Sequence, residues 1–288
     1  MADYFTDTPG SGSDNGSGSD PWLSIKTAIE YGSLASGDKV WTSRRSSFSG
    51  ASANIDPSAT GSLEFIQFII WPRAELSFNA TFTNGSTTVS IDSGLTADWN
   101  SHVGRKIKND ADGKWYIITN VDSGNFIIDR EYASTTASDG ACTIEADEHY
   151  AEAQALDDSS WPVGRKKTDW NADPDSTVLV DFEATAYYLY LTTNYMFRFV
   201  GFRFDGGTTY GALYMRNNSN LSFKYCHFLQ DQNMCMMRFN SSELRCFFDQ
   251  CIWKGSEAGS SQRGILADGG GVLIFIKDSA IYGLGDYG

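Results

Sequence analysis

Apolar and polar residues alternate along this chain in short bursts, and one burst is written twice. Leu221 to Phe228 reads LSFKYCHF, and Cys246 to Trp253 reads CFFDQCIW. Each carries a Phe three residues before a Cys and an aromatic residue two after it. Aligned on Gly201, Cys226 and Cys251, the phrase recurs at intervals of 25, and Ala280 of DSAIYG follows at 29. At each place a small residue precedes a larger pair: Phe202-Arg203, His227-Phe228, Ile252-Trp253 and Ile281-Tyr282. Five residues upstream stand Met196, Leu221, Cys246 and Phe275. Alternation with period two reads as strands, and a repeat in the twenties reads as a solenoid. With no helix pattern between the strands, a parallel β-helix is predicted. Each coil then lays like side chains over like, roughly 4.8 Å apart. One coil cannot bury its own apolar face, so the coils must stack.

The rest of the chain divides by the same test. Residues 1–20 are rich in Gly, Ser and Asp and read as a flexible arm or a loop laid over a surface. In SDPWLSIKTAIEYGSLASGD, Asp20 suits a helix cap, Pro21 its first position and Gly32 its end. Trp22, Ile25, Ala28 and Ile29 fall on one face. One short amphipathic helix is expected, packed on the core or plugging the open end of the coil stack. DKVWTSR and SLEFIQFIIWPRAEL read as strands, the second partly buried on both faces and closed by Pro72. Residues 21–78 are therefore the capping helix and first coils, and 148–288 the later coils. Between them, 79–147 changes style. Asn84-Gly85 and DADG are hairpin signals between alternating segments, and NFIIDREY and CTIEAD follow. Five or six antiparallel strands are expected there, as a small barrel or sandwich. NDADGK lacks the acidic residue of a full calcium loop, since Val121 stands in that place, so it reads as a turn.

Composition narrows the function classes. With 41% hydrophobic and 14% aromatic residues, the 288-residue chain can build a substantial core. Its formal charge of −14 repels phosphate backbones, so nucleic-acid binding is not expected. No apolar run approaches the roughly 20 residues of a membrane helix. The opening MADYFTDTPG has neither a basic start nor an apolar stretch, so no secretion signal and no membrane insertion are expected. Cys142, Cys226, Cys235, Cys246 and Cys251 form no CxxC pair. They read as reduced, mostly buried thiols, with no metal and no cofactor.

PWLSIKTAIEYGSLASGDKVW, followed by IIWPRAE, resembles the opening of right-handed parallel β-helix proteins of tailed bacteriophages and related bacterial genomes. That opening runs from a Gly/Ser/Asp-rich start through a capping helix to GD-x-V-W. The stretch FTNGSTTVSI to DREY resembles a small β module common in phage virion proteins, through NGST, VGR, KWY-x-I and DR-x-Y. The matches cover most of residues 3–147. The resemblance implies an all-β chain: a right-handed parallel β-helix with an N-terminal capping helix and an inserted antiparallel module. It implies a virion structural protein, made in the host cytoplasm, that docks to other virion proteins of capsid or tail. Accessory, decoration and fibre-like roles fit, and a homotrimer is among the assemblies it allows. Two alternatives stay open. One is a tailspike enzyme, a glycosidase or lyase acting on host surface polysaccharide. The other is an adhesin that binds such polysaccharide without cleaving it. The chain departs from tailspikes in showing no separate virion-binding domain before the helix and no trimerisation domain after YGLGDYG.

Candidate chemistry is sparse. Asp205 and Asp231 follow the aligned phrase on neighbouring coils, and carboxylates there could approach the roughly 5 Å of a retaining glycosidase. Asp is equally a turn residue, and that reading is preferred. Tyr187, Tyr188 and Tyr190 of YYLY alternate, so some of these rings could face out and stack on sugars. The three histidines are far apart, with no Ser-His-Asp order. No catalytic activity is expected.

Overall fold

The computed structural model describes residues 2–6, 16, 22, 25–31, 34–43, 48–49, 54–55, 64–95, 102–156, 179–181, 189–191, 196–205, 213–216, 219–230, 235–240, 244–255, 263–267 and 270–282. Three parallel sheets of seven, six and five strands carry the coils. The first holds Asp3–Thr6, Lys39–Thr42, Ile66–Ile70, Met196–Val200, Ser219–Lys224, Leu244–Asp249 and Val272–Lys277. The second holds Phe48–Ser49, Leu179–Asp181, Arg203–Asp205, His227–Gln230, Ile252–Gly255 and Ala280–Tyr282. The third holds Asn54–Ile55, Leu189–Leu191, Leu213–Arg216, Cys235–Asn240 and Arg263–Ala267. The chain visits first, second and third sheets in turn, so each circuit is one coil of a parallel β-solenoid. No described helix is long and apolar enough to cross a membrane.

Alternation decides what the coil interior receives. Phe68, Phe199, Phe223 and Phe248 occupy one column of the first sheet. Their rings stack in turn at 5.2, 5.5 and 5.2 Å. A second ladder, Phe204, Phe228 and Trp253, stacks at 5.1 and 5.5 Å. All seven are essentially buried. Burying one such side chain is worth about 1.5–3 kcal/mol, and each ring pair adds about 0.5–1.5 kcal/mol.

The expected stacking register needs correction at two coils. Arg203 pairs with His227, a spacing of 24, and Ile252 pairs with Ala280, a spacing of 28. Only the middle interval, His227 to Ile252, is 25. Gly201 therefore does not stack with Cys226. It sits at the corner between first and second sheets, where the next coils carry Tyr225, Gln250 and Asp278. All four have positive φ: 80°, 54°, 54° and 46°. The first three each donate a backbone hydrogen bond to the next coil, from Gly201 to Lys224, Tyr225 to Asp249 and Gln250 to Lys277. Small size makes glycine and cysteine look equivalent in the sequence, whereas the place of Gly201 is set by backbone conformation.

The N-terminal segment also differs from expectation. Asp3–Thr6, placed in a flexible arm by composition, is a strand paired in parallel with Lys39–Thr42. Phe5 is buried, and its N–H donates to Gly16. The helix spans Ile25–Tyr31 and begins later than expected. Trp22 lies before it, bridged to Thr6, while Asp20 and Pro21 lie outside the described residues. The apolar set itself is as read: Trp22, Ile25, Ala28 and Ile29 join the solenoid core. A second short helix, Tyr150–Ala155, was not anticipated.

Residues Pro72–Leu156 belong to a second compact unit, inserted between a first-sheet and a second-sheet strand of one coil. It is a closed antiparallel barrel of six strands: Leu76–Phe82, Thr88–Ser93, Lys106–Asn109, Trp115–Asp122, Asn125–Ile128 and Ala137–Ile144. Its first strand starts before the boundary expected at Asn79. Phe78, Phe82, Tyr116, Ile118, Phe126 and Tyr132 fill its centre. Gly85 and Gly113 turn the two hairpins at φ of 75° and 69°. In NDADGK, the Asn109 and Asp112 side chains accept hydrogen bonds from the N–H groups of Ala111 and Lys114, as in a turn. An ion-pair clamp ties the entering and leaving strands. Asp147 accepts from Arg73 Nε at 2.9 Å and pairs with Arg105 Nε at 3.1 Å.

Candidate functional site

On the first sheet every second residue points away from the core. One outward column runs Gln67, Arg198, Ser222, Phe247 and Phe275. The next runs Val200, Lys224, Asp249 and Lys277. Ser222 is small beside Arg198 and Phe247, and a cleft of about 720 Å³ opens there. Arg198, Ser222, Lys224, Phe247, Asp249 and Phe275 are among its lining residues. Phe247 and Phe275 stack at 4.8 Å with planes 7° apart, and they are 37% and 48% exposed. Leu273, on the same outward face, is about half exposed. The Asp249 carboxylate stands between two ammonium groups, Lys224 at 3.8 Å and Lys277 at 3.5 Å. Its charge, with hydrogen bonds to Asp249 and Asp278, holds Lys277 above the usual lysine range.

This face offers flat apolar surface beside fixed charges, which is binding chemistry. Among the described lining residues the one carboxylate, Asp249, is held by two lysines. Among the described residues no group of His, Cys, Asp and Glu is arranged to hold a metal ion. Cys226 and Cys251 are buried free thiols whose Sγ atoms donate to the carbonyls of Phe199 and Phe223. Burial raises Cys251 and Cys246 well above the usual thiol range and pushes Cys142 up to about 12. Thiolate chemistry is therefore suppressed at all three. His227 is pushed down to about 3 by burial and by the charges of Arg203 and Lys254.

The residues singled out in the sequence fall elsewhere. Asp205 ends a second-sheet strand, where its register partners are Asp181 and Leu229. Asp231, Tyr187 and Tyr188 lie outside the described residues. Tyr190 lies in a third-sheet strand and pairs with Asn54 and Tyr214. The described face, by contrast, was missed. The slipped register set Phe275 level with Cys246, whereas it stacks on Phe247. The signal was present, since CFFD and IFIK carry an aromatic at the same outward parity.

No family model matches the sequence, and no curated protein matches it. Among solved structures the chain is similar to the tailspike protein gp49 from Pseudomonas phage LKA1, at 12% identity and a TM-score of 0.25. The match covers 88% of this chain and 51% of that one, so the chain spans about half its length. The solenoid described above rests on its own hydrogen-bond ladders rather than on that likeness.

Proposed function

We propose that this chain is a structural component of a bacteriophage particle, which docks to protein neighbours through the outer face of its solenoid. The observation that carries the reading is the exposed outward set Phe247, Leu273 and Phe275 on one face of the first sheet, with the rings of Phe247 and Phe275 stacked. Exposed apolar side chains gathered on one face, rimmed by charges, mark an interaction site. The sequence resemblance over residues 3–147 supplies the particle. Particles stripped of this protein should regain occupancy when it is added back, without change to any polysaccharide. Failure to rebind would overturn the reading.

A second reading is saccharide binding, with or without cleavage. It is favoured by the cleft, where phenyl rings adjoin Arg198, Lys224 and Asp249. The backbone register sets Asp181 level with Asp205 on adjacent rungs. A saccharide array with a reducing-end assay separates the readings. No binding supports docking, binding alone supports an adhesin, and shortening that vanishes in Asp205→Asn supports a depolymerase.

A further inference from the structure

In the outward column Gln67, Arg198, Ser222, Phe247 and Phe275, every position but one carries a long or aromatic side chain. Ser222 carries only a hydroxymethyl group, and the cleft opens over it. The gap lies inside the stack. Met196–Val200 and Leu244–Asp249 pair with Ser219–Lys224 on its two sides, so three described rungs shape it. Parallel strands lie about 4.8 Å apart, which sets Arg198 and Phe247 about 9.6 Å apart across the gap. One rung further on, the same column shows what fills such a space: Phe247 and Phe275 stack at 4.8 Å with planes 7° apart. A planar ring seated over Ser222 would lie one rung from Phe247 on one side and one rung from Arg198 on the other. Phenyl and guanidinium groups both stack on aromatic faces.

The walls set the charge of the occupant. Among the described lining residues, Arg198, Lys224 and Lys277 face a single carboxylate, Asp249. This basic excess is local, since the whole chain has a formal charge of −14. A ring flanked by carboxylates complements such walls, whereas a ring flanked by ammonium groups is repelled. We propose that the gap over Ser222 receives an aromatic side chain of a protein neighbour, set beside an acidic residue. The assignment rests on the docking reading above and names the residue that holds the partner. Aromatic anchors seated in pockets carry a large share of the energy of an interface, while the contacts around them mainly exclude water. A saccharide ring is the competing occupant, and the test includes it.

The test uses the full chain and three acetylated, amidated tripeptides, Asp-Trp-Asp, Lys-Trp-Lys and Asp-Leu-Asp, titrated by calorimetry. Asp-Trp-Asp is expected to bind at least about tenfold more tightly than either of the others. Ser222→Phe supplies the missing ring from the chain itself, so it should abolish that binding without lowering the melting temperature. Phe247→Leu removes one stacking wall and keeps an apolar side chain at a position 37% exposed. It should weaken Asp-Trp-Asp about fivefold, the worth of one ring pair, and leave melting nearly unchanged. If Ser222→Phe melts lower than the parent, Phe247→Leu decides alone. Equal affinity for Asp-Trp-Asp and Asp-Leu-Asp would overturn the proposal, because the ring would then count for nothing. Equal affinity for the acidic and basic Trp peptides would overturn it as well, and so would binding that neither variant changes. A host-capsule oligosaccharide that binds in place of the peptides, and is lost in Ser222→Phe, would make a saccharide the occupant. If Ser222→Phe protein restores the same occupancy on stripped particles as the parent, the anchor falls while the docking reading stands. Failure of the parent itself to rebind overturns the docking reading.

Discussion

A residue in this solenoid is constrained first by its place on the coil. Gly201, Tyr225, Gln250 and Asp278 all hold the left-handed corner, although only glycine adopts it without cost. A Cβ at Gly201 would also come to 3.4 Å from Ile70 Cβ. Gly201→Ala is therefore expected to lose about 1–2 kcal/mol in urea titration. His227 is constrained by charge. Its Nε2 makes no hydrogen bond among the described residues, and its folded value is about 3 against 6.5 unfolded. As pH falls below 6.5 the unfolded chain takes up the proton first, so stability is lost. The loss should approach about 1.4 kcal/mol per pH unit and level off near pH 3. Thermal melts from pH 7 to pH 4 should show that slope, and His227→Gln should flatten it.

Strands and rungs are held by columns rather than by neighbours in sequence. Phe223 touches both adjacent rungs of its ladder and the rings of Phe204 and Phe228 in the second sheet. Phe223→Ala should cost about 3–5 kcal/mol, since rungs on both sides prevent the gap from closing. Exposed Phe247→Ala should cost far less, and equilibrium unfolding of the two variants compares them directly. In the barrel the equivalent device is the Arg73–Asp147–Arg105 clamp. Arg105 also donates to the carbonyls of Ala74 and Glu145, so it binds both the segment that enters the barrel and the one that leaves it. Asp147→Ala leaves two guanidinium groups facing each other with little access to water. A loss of about 3 kcal/mol is expected, read from the barrel's own unfolding transition.

At the scale of the whole molecule, the chain leaves one coil after Ile66–Ile70 and returns to it at Leu179–Asp181. Ile66–Ile70 nevertheless pairs with Met196–Val200 without interruption. The barrel has its own apolar centre and its own clamp. Replacing residues 72–156 with a short Gly/Ser linker should leave a soluble, β-rich solenoid that melts cooperatively. Aggregation of that protein in every linker length tried would show that the coils require the barrel.

Alternation along the chain was enough to specify the parallel coils, the separate antiparallel module, the hairpins at Gly85 and Gly113, and the burial of Trp22, Ile25, Ala28 and Ile29. These follow from local chemistry, since period two, turn residues and an apolar face are visible without knowing what lies across the sheet. Spacing between coils was not legible to the residue. Loops of different length change it from 24 to 25 to 28, and a slip of one position moves a side chain to the other face. Tertiary hydrogen bonds alone decided that Gly201 lies level with Tyr225 and Phe275 with Phe247. The candidate face therefore emerged only from the fold, because its charge alternation and its stacked rings join residues more than twenty positions apart.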